Sequence, residues 1–159
     1  MNRRYWTGLC AAVALTLVIP AGAQAKPNFS GSWKLNAGKS DFGQMTGPAK
    51  MERNITQADP SLKYSIVQSS PQGGDTTTDM AFTTDGKPTT NQTPMGELTG
   101  SASWDGDVLT IVNKRQLQGL EITQTERWSL SEDGKVLTVD NKVAMPKGHV
   151  EMKIVMDKQ

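Results

Sequence analysis

The sequence predicts an all-β domain, an antiparallel up-and-down meander of about eight to ten strands that closes into a barrel. Three observations predict it. Apolar and polar residues alternate through short segments rich in Val, Ile and Thr along most of the chain. Turn signals recur between those segments, among them Asp85-Gly86, Asp105-Gly106 and Asp133-Gly134, where Gly tolerates positive φ and Asp the left-handed region. The one long interruption, residues 37–49, carries Gly38, Gly43, Gly47 and Pro48 but no helical stripe. A meander of this length twists and has two edges to hide, which favours closure over an open sheet.

In chain order, residues 1–25 form a leader. Arg3 and Arg4 open it with no acid, an apolar run follows from Leu9 to Ile19, and Ala23-Gln24-Ala25 fits a signal-peptidase site. The apolar run is about half of the ~20 residues that a spanning helix needs, so it reads as a secretory signal and not an anchor. The expected mature domain is residues 26–159, exported to a bacterial periplasm or secreted. Phe29, Gly31, Trp33 and Leu35 then share one face of a first strand. Met51, Arg53 and Ile55 mark a second strand that ends at Asp59-Pro60. Leu62, Tyr64 and Ile66 mark a third that ends at Pro71-Gln72-Gly73-Gly74. Further strands are expected at 76–84, 98–104, 108–117, 120–130, 136–143 and 149–156, with a weaker one at 87–93. No linker or fixed-period repeat divides the domain.

Composition excludes several classes of function. The chain has one Cys and one His, and the Cys lies in the leader at position 10. The mature domain therefore has no disulfide framework, no Cys/His zinc site and no Cys-His nucleophile pair. Loss of Arg3 and Arg4 leaves 15 basic against 16 acidic residues, taking the net charge from +1 to −1. That balance gives no electrostatic case for nucleic acid. No Gly-x-Ser-x-Gly elbow, P-loop or His-Glu-x-x-His is present. His149 reads as a solvated turn residue, and no cofactor is expected.

The segment Phe29-Ser30-Gly31-Ser32-Trp33-Lys34-Leu35 resembles the opening strand of the calycin group, the lipocalins and fatty-acid-binding proteins. In that group Phe-x-Gly-x-Trp begins the barrel, Gly allows close backbone approach and Trp plugs one end. Asp133-Gly134-Lys135 followed by Val136-Leu137-Thr138-Val139 resembles a late hairpin of lipocalin-like domains in bacterial secreted proteins. The resemblance implies a lipocalin-like barrel. It departs in three respects: 37–49 is too short and too Gly-rich for the helical lid of fatty-acid-binding proteins, the disulfides common in lipocalins cannot form in this mature chain, and no late Arg lies ready to cover the Trp. The last strand offers Lys153 for that place, with Arg127 and Arg115 as substitutes.

With that fold, the candidate ligand-binding residues are Trp33, Arg53, Tyr64, Phe82, Glu126 and Trp128. Pattern puts Arg53 on the inward face, where a buried guanidinium needs a carboxylate or an anionic ligand. Glu126 is the candidate partner, since it shares a face with Ile122, Gln124, Trp128 and Leu130. A one-residue slip of register would instead put Arg53 outside. Gln124 and Glu126 make the interior partly polar, which suits an amphiphile better than a hydrocarbon. Met80, Met152 and Met156 serve either a pocket wall or an ordinary core. The expected function is binding of a small apolar or amphiphilic molecule in the lumen. The alternative is a filled barrel acting as an envelope accessory or protein-interaction module through residues 37–49 and 70–75. A carboxylate enzyme on the same fold is a third reading.

Overall fold

In a computed structural model, the alternating segments form ten antiparallel strands, and the structure describes residues 25–159. The cleavage site and leader fall outside the described residues, apart from Ala25. The strands are β1 (Gly31–Leu35), β2 (Lys50–Ala58), β3 (Ser61–Ser69), β4 (Asp75–Thr83) and β5 (Thr89–Thr93), followed by β6 (Gly96–Asp105), β7 (Val108–Leu117), β8 (Leu120–Leu130), β9 (Val136–Met145) and β10 (Gly148–Lys158). Each pairs with its sequence neighbour except across one seam, and the first strand pairs with the last, so the sheet runs β4-β3-β2-β1-β10-β9-β8-β7-β6-β5. Among the described residues no helix is long and apolar enough to cross a membrane.

The seam lies between β4 and β5, which share no ladder. Asn91 closes it with a side chain. Its Oδ1 accepts from the Ala81 N–H at 2.8 Å and its Nδ2 donates to the Ala81 carbonyl at 3.1 Å, doing for β4 what a neighbouring backbone does elsewhere. Asp85-Gly86 is therefore not a hairpin turn, as its dipeptide suggests. Asp85 bridges to Ser103 and the Gly86 N–H donates to the Ala102 carbonyl, so the chain turns a corner onto β6 before starting β5. Asp105-Gly106 does close a tight hairpin, with Asp105 opposite Val108. Gln118-Gly119, both at positive φ, closes another between Leu117 and Leu120.

Strand parity puts one set of side chains inside, and their character changes along the barrel axis. Toward the end that carries the β2–β3, β6–β7 and β8–β9 turns, the interior is filled. Phe29, Trp33, Leu62, Leu109, Trp128, Leu137, Val139 and Met156 are all fully buried there. Phe29 meets Trp128 edge-on at 5.6 Å between ring centroids and stacks on Trp104 at 5.9 Å. The Trp33 indole donates to the Phe29 carbonyl at 2.8 Å.

The cation over Trp33 is Lys158, with Nζ 5.2 Å from the ring centroid. It is neither Lys153, Arg127 nor Arg115. Lys153 and Arg127 fall on the outward parity of their strands, where Arg127 pairs with Asp105 at 3.2 Å. Arg115 has inward parity but stands at the far end of β7. Gly31, at φ +135°, makes the arrangement possible, because a Cβ there would stand 2.9 Å from Cε of Lys158.

Candidate functional site

Above the filled half, β2 and β8 bring two ionic side chains face to face. Arg53 and Glu126 are 2 % and 4 % exposed, and Arg53 Nη1 donates to Glu126 Oε2 at 3.1 Å. The same oxygen accepts from the Trp128 indole at 2.7 Å, while Oε1 accepts from Gln124 Nε2 at 3.1 Å. Gln124 Nε2 also reaches Asn141 Oδ1 on β9 at 3.3 Å. The Arg53 guanidinium lies over the rings of Trp128 and Tyr64, its central carbon 4.7 and 5.3 Å from their centroids. Its Nε has no hydrogen-bond partner. This is a charge-paired cluster that caps the core and faces the space enclosed by the upper half of the barrel. Burial pushes the Tyr64 phenol far above its ordinary value; the nearby Glu126 charge adds to the rise and Arg53 opposes it.

That space is a pair of adjoining cavities at the end bearing the 37–49 loop and the β3–β4, β5–β6, β7–β8 and β9–β10 turns. The larger, of about 440 Å³, is walled by Met51, Ile66, Met152 and Ile154, floored by Arg53 and Glu126, and rimmed by Phe42, Met45 and Pro48. The smaller, of about 200 Å³, has Tyr64, Met80, Leu98 and Asn113 in its wall and Met95 at its rim. Ile66, Gln68, Thr76, Gln124 and Glu126 line both, so the two are lobes of one lumen. Its size falls within the range of small-molecule sites, and its lining mixes apolar side chains with amides and hydroxyls.

The 37–49 loop shapes the mouth. A short 3-10 turn at Ala37–Lys39 and a backbone bridge between Asp41 and Lys153 pin it to β10, which carries Phe42 and Met45 to the rim. Among the described residues, the large apolar side chains that stay exposed are Met45, Met95, Leu117, Leu120 and Met145. Met45 stands in the loop and Met95 in the β5–β6 turn, while Leu117, Leu120 and Met145 are the strand residues that flank the turns at this end of the barrel. Isolated exposed apolar residues mean little, but these are concentrated round one opening.

The structure divides the predicted site residues by depth. Arg53, Tyr64 and Glu126 line the lumen, and Arg53 points inward and finds Glu126, as the inward register requires. Trp128 lies just beneath, holding both members of the ion pair. Trp33 and Phe82 belong to the filled half and line neither lobe. Met152 and Met80 are wall residues, whereas Met156 is core. His149 is solvated, its side chain 55 % exposed. Sequence reasoning passed over Gln68, Thr76, Asn113 and Asn141. Their signal was parity, since each falls an even number of residues from an inward position of its own strand: Ile66, Met80, Ile111 and Val139.

By sequence, no family model and no curated protein matches the chain. By structure, the barrel is similar to a secretory abundant heat soluble protein from Ramazzottius varieornatus, at TM-score 0.61 and 17% identity over 86% of this chain and 98% of that one. It is also similar to the zebrafish ileal bile acid-binding protein, at TM-score 0.54 and 18% identity over 82% and 98% of the two chains. A third similarity is to the fluorescent protein UnaG, at TM-score 0.55 and 16% identity over 82% and 96%. At such identities the likeness is one of fold. The nearly closed ten-stranded meander, its buried Trp33 and these likenesses together make the fold of this chain a lipocalin-like barrel of the calycin type.

Proposed function

We propose that the protein is an exported carrier that holds one small apolar or amphiphilic molecule in its lumen, with residues 26–159 as the mature chain. The observation that carries the reading is the lumen itself. Half the barrel is packed with aromatic and aliphatic side chains, while the other half is open, reachable through one mouth and lined by methionine, isoleucine and amides. A barrel serving only as a scaffold for surface contacts gains stability by filling that half as well. Hollowing it forgoes dispersion contacts and leaves polar groups to be satisfied, costs that a bound molecule offsets. The zebrafish barrel described above was solved with cholic acid, which supports an amphiphile as the class of occupant.

The test is equilibrium titration of delipidated residues 26–159 with the uncharged fluorophore N-phenyl-1-naphthylamine. Saturable enhancement at one-to-one stoichiometry is expected, with displacement by single-chain amphiphiles. Absence of saturable enhancement, together with native mass spectra showing no retained small molecule, overturns the reading. Export is tested separately, by finding Lys26 as the first residue of the protein recovered outside the cytoplasm.

A further inference from the structure

The charges of the lumen decide what kind of head group it accepts. The ionic side chains along its two lobes are Arg53, Glu126 and Arg115. Arg53 and Glu126 neutralise one another at 3.1 Å, and each is held further: Glu126 by Trp128 and Gln124, Arg53 by two aromatic faces. The floor is therefore polar but carries no net charge. Arg115, by contrast, stands near the mouth, where it also faces an outer groove with Glu97, Lys114 and Glu121. The remaining polar lining is amide and hydroxyl, with Gln68, Thr76, Asn113, Gln124 and Asn141 among it.

We propose that the floor of the lumen selects an uncharged head group, a hydroxyl or a carboxamide, and turns away carboxylates. The inference rests on the carrier reading above and names the class of its ligand. An anionic head descending to the floor meets a guanidinium already engaged by a carboxylate, and the second anion stands beside Glu126 in a poorly hydrated site. A hydroxyl or amide brings no such repulsion. It donates to the free lone pairs of Glu126 Oε1 or Asn141 Oδ1 and accepts from the lumen amides. An anionic amphiphile is left with one orientation, its tail inside and its head at the mouth near Arg115.

The experiment measures displacement of N-phenyl-1-naphthylamine from wild-type protein and from Glu126→Gln by dodecanol, dodecanamide and dodecanoate at pH 7.5. In the wild type, the alcohol and amide are expected to displace at least tenfold more strongly than the carboxylate. Because the alcohol is also the more apolar molecule, the decisive quantity is the change in that ratio. Glu126→Gln leaves Arg53 as an uncompensated cation on the floor, and dodecanoate should gain at least tenfold relative to dodecanol. Dodecanoate binding to the wild type as tightly as dodecanol, or an unchanged ratio in the folded variant, overturns the proposal while the carrier reading stands. If none of the three displaces a fluorophore that itself binds, the proposal is overturned and the carrier reading stands; absence of fluorophore binding overturns both.

Should Glu126→Gln fail to fold, carbon-13 NMR of carboxyl-labelled dodecanoate on the wild type replaces it. A carboxyl signal that titrates as in water and broadens with a soluble gadolinium chelate places the head at the mouth and supports the proposal, as does failure of dodecanoate to bind. A signal shielded from the chelate overturns it.

Discussion

Replacing Arg53 by Met removes one half of a buried ion pair and leaves the other half in place. Glu126, 4 % exposed, would keep its hydrogen bonds from Trp128 and Gln124 but lose its ion-pair partner. Breaking such a pair costs about 3–5 kcal/mol, because a desolvated carboxylate is left without compensation. Two cation–π contacts are lost as well, each worth roughly 0.5–2 kcal/mol. Glu126→Leu is expected to be equally harmful, since it strands Arg53 and leaves the buried Trp128 indole unpaired at a further ~1–3 kcal/mol. The double variant Arg53→Met/Glu126→Leu has no stranded charge. Swapping a whole buried pair for apolar residues is neutral or gains about 1–4 kcal/mol, which the Trp128 indole largely offsets, so the double variant should lie near the wild type. Urea unfolding followed by far-ultraviolet circular dichroism for all four proteins gives the coupling, expected to exceed about 2 kcal/mol. Additive losses, with the double variant as unstable as the sum of the singles, would refute the argument that mutual compensation makes this floor neutral.

Further consequences can be checked one at a time. Gly31→Ala sets a Cβ against the Lys158 stem in a backbone conformation that favours glycine, so it should cost about 1–3 kcal/mol in urea unfolding and perturb the Trp33 environment in near-ultraviolet circular dichroism. Asn91→Ala leaves the Ala81 N–H and carbonyl at the β4–β5 seam to water, and amide hydrogen exchange at Ala81 should accelerate at least tenfold while the β8 amides are unaffected. Tyr64 is the sole tyrosine of residues 26–159, so absorbance at about 295 nm reads it alone. Its folded pKa is raised, so its contribution to stability is complete below the ordinary phenol value near 10 and is lost as pH climbs above it; tyrosinate should appear only as the barrel unfolds. Asp85 has the opposite sign. Hydrogen bonds from Lys87 and Thr83 hold its carboxyl well below the usual range, so its contribution is present above the ordinary aspartate value and falls away as pH drops, and Asp85→Asn should lose less stability than wild type between pH 7 and pH 3.

Why some of this could be read from the sequence and some could not comes down to what a period of two encodes. Alternation tells which face a residue takes, and on that ground the barrel, the inward Arg53 and its partner Glu126 were all legible. Applied consistently, it also separates the candidates for the cation over Trp33: Lys158 shares the parity of Met152, Ile154 and Met156, whereas Lys153 and Arg127 do not. Alternation does not tell how far along the barrel axis a residue lies. Arg115 has the right parity and the wrong height, and Trp33 and Phe82 have the parity of a ligand wall but the height of the core. Height depends on the pairing of β1 with β10 and on the stagger of every hairpin, which are contacts between residues far apart in sequence.

One trace of height does survive in the sequence. Walking inward positions toward the mouth, β7 passes from Leu109 and Ile111 to Asn113, β9 from Leu137 and Val139 to Asn141, and β8, read backward, from Trp128 to Glu126 and Gln124. By register Asn113 faces Gln124 and Asn141 faces Glu126, so the three strands change from apolar to polar within one inward step of one another. A filled core has no use for buried amides at matched heights, because each demands a partner that aliphatic neighbours cannot supply. Polar residues on inward parity, aligned across strands, therefore mark where packing stops and a lumen begins.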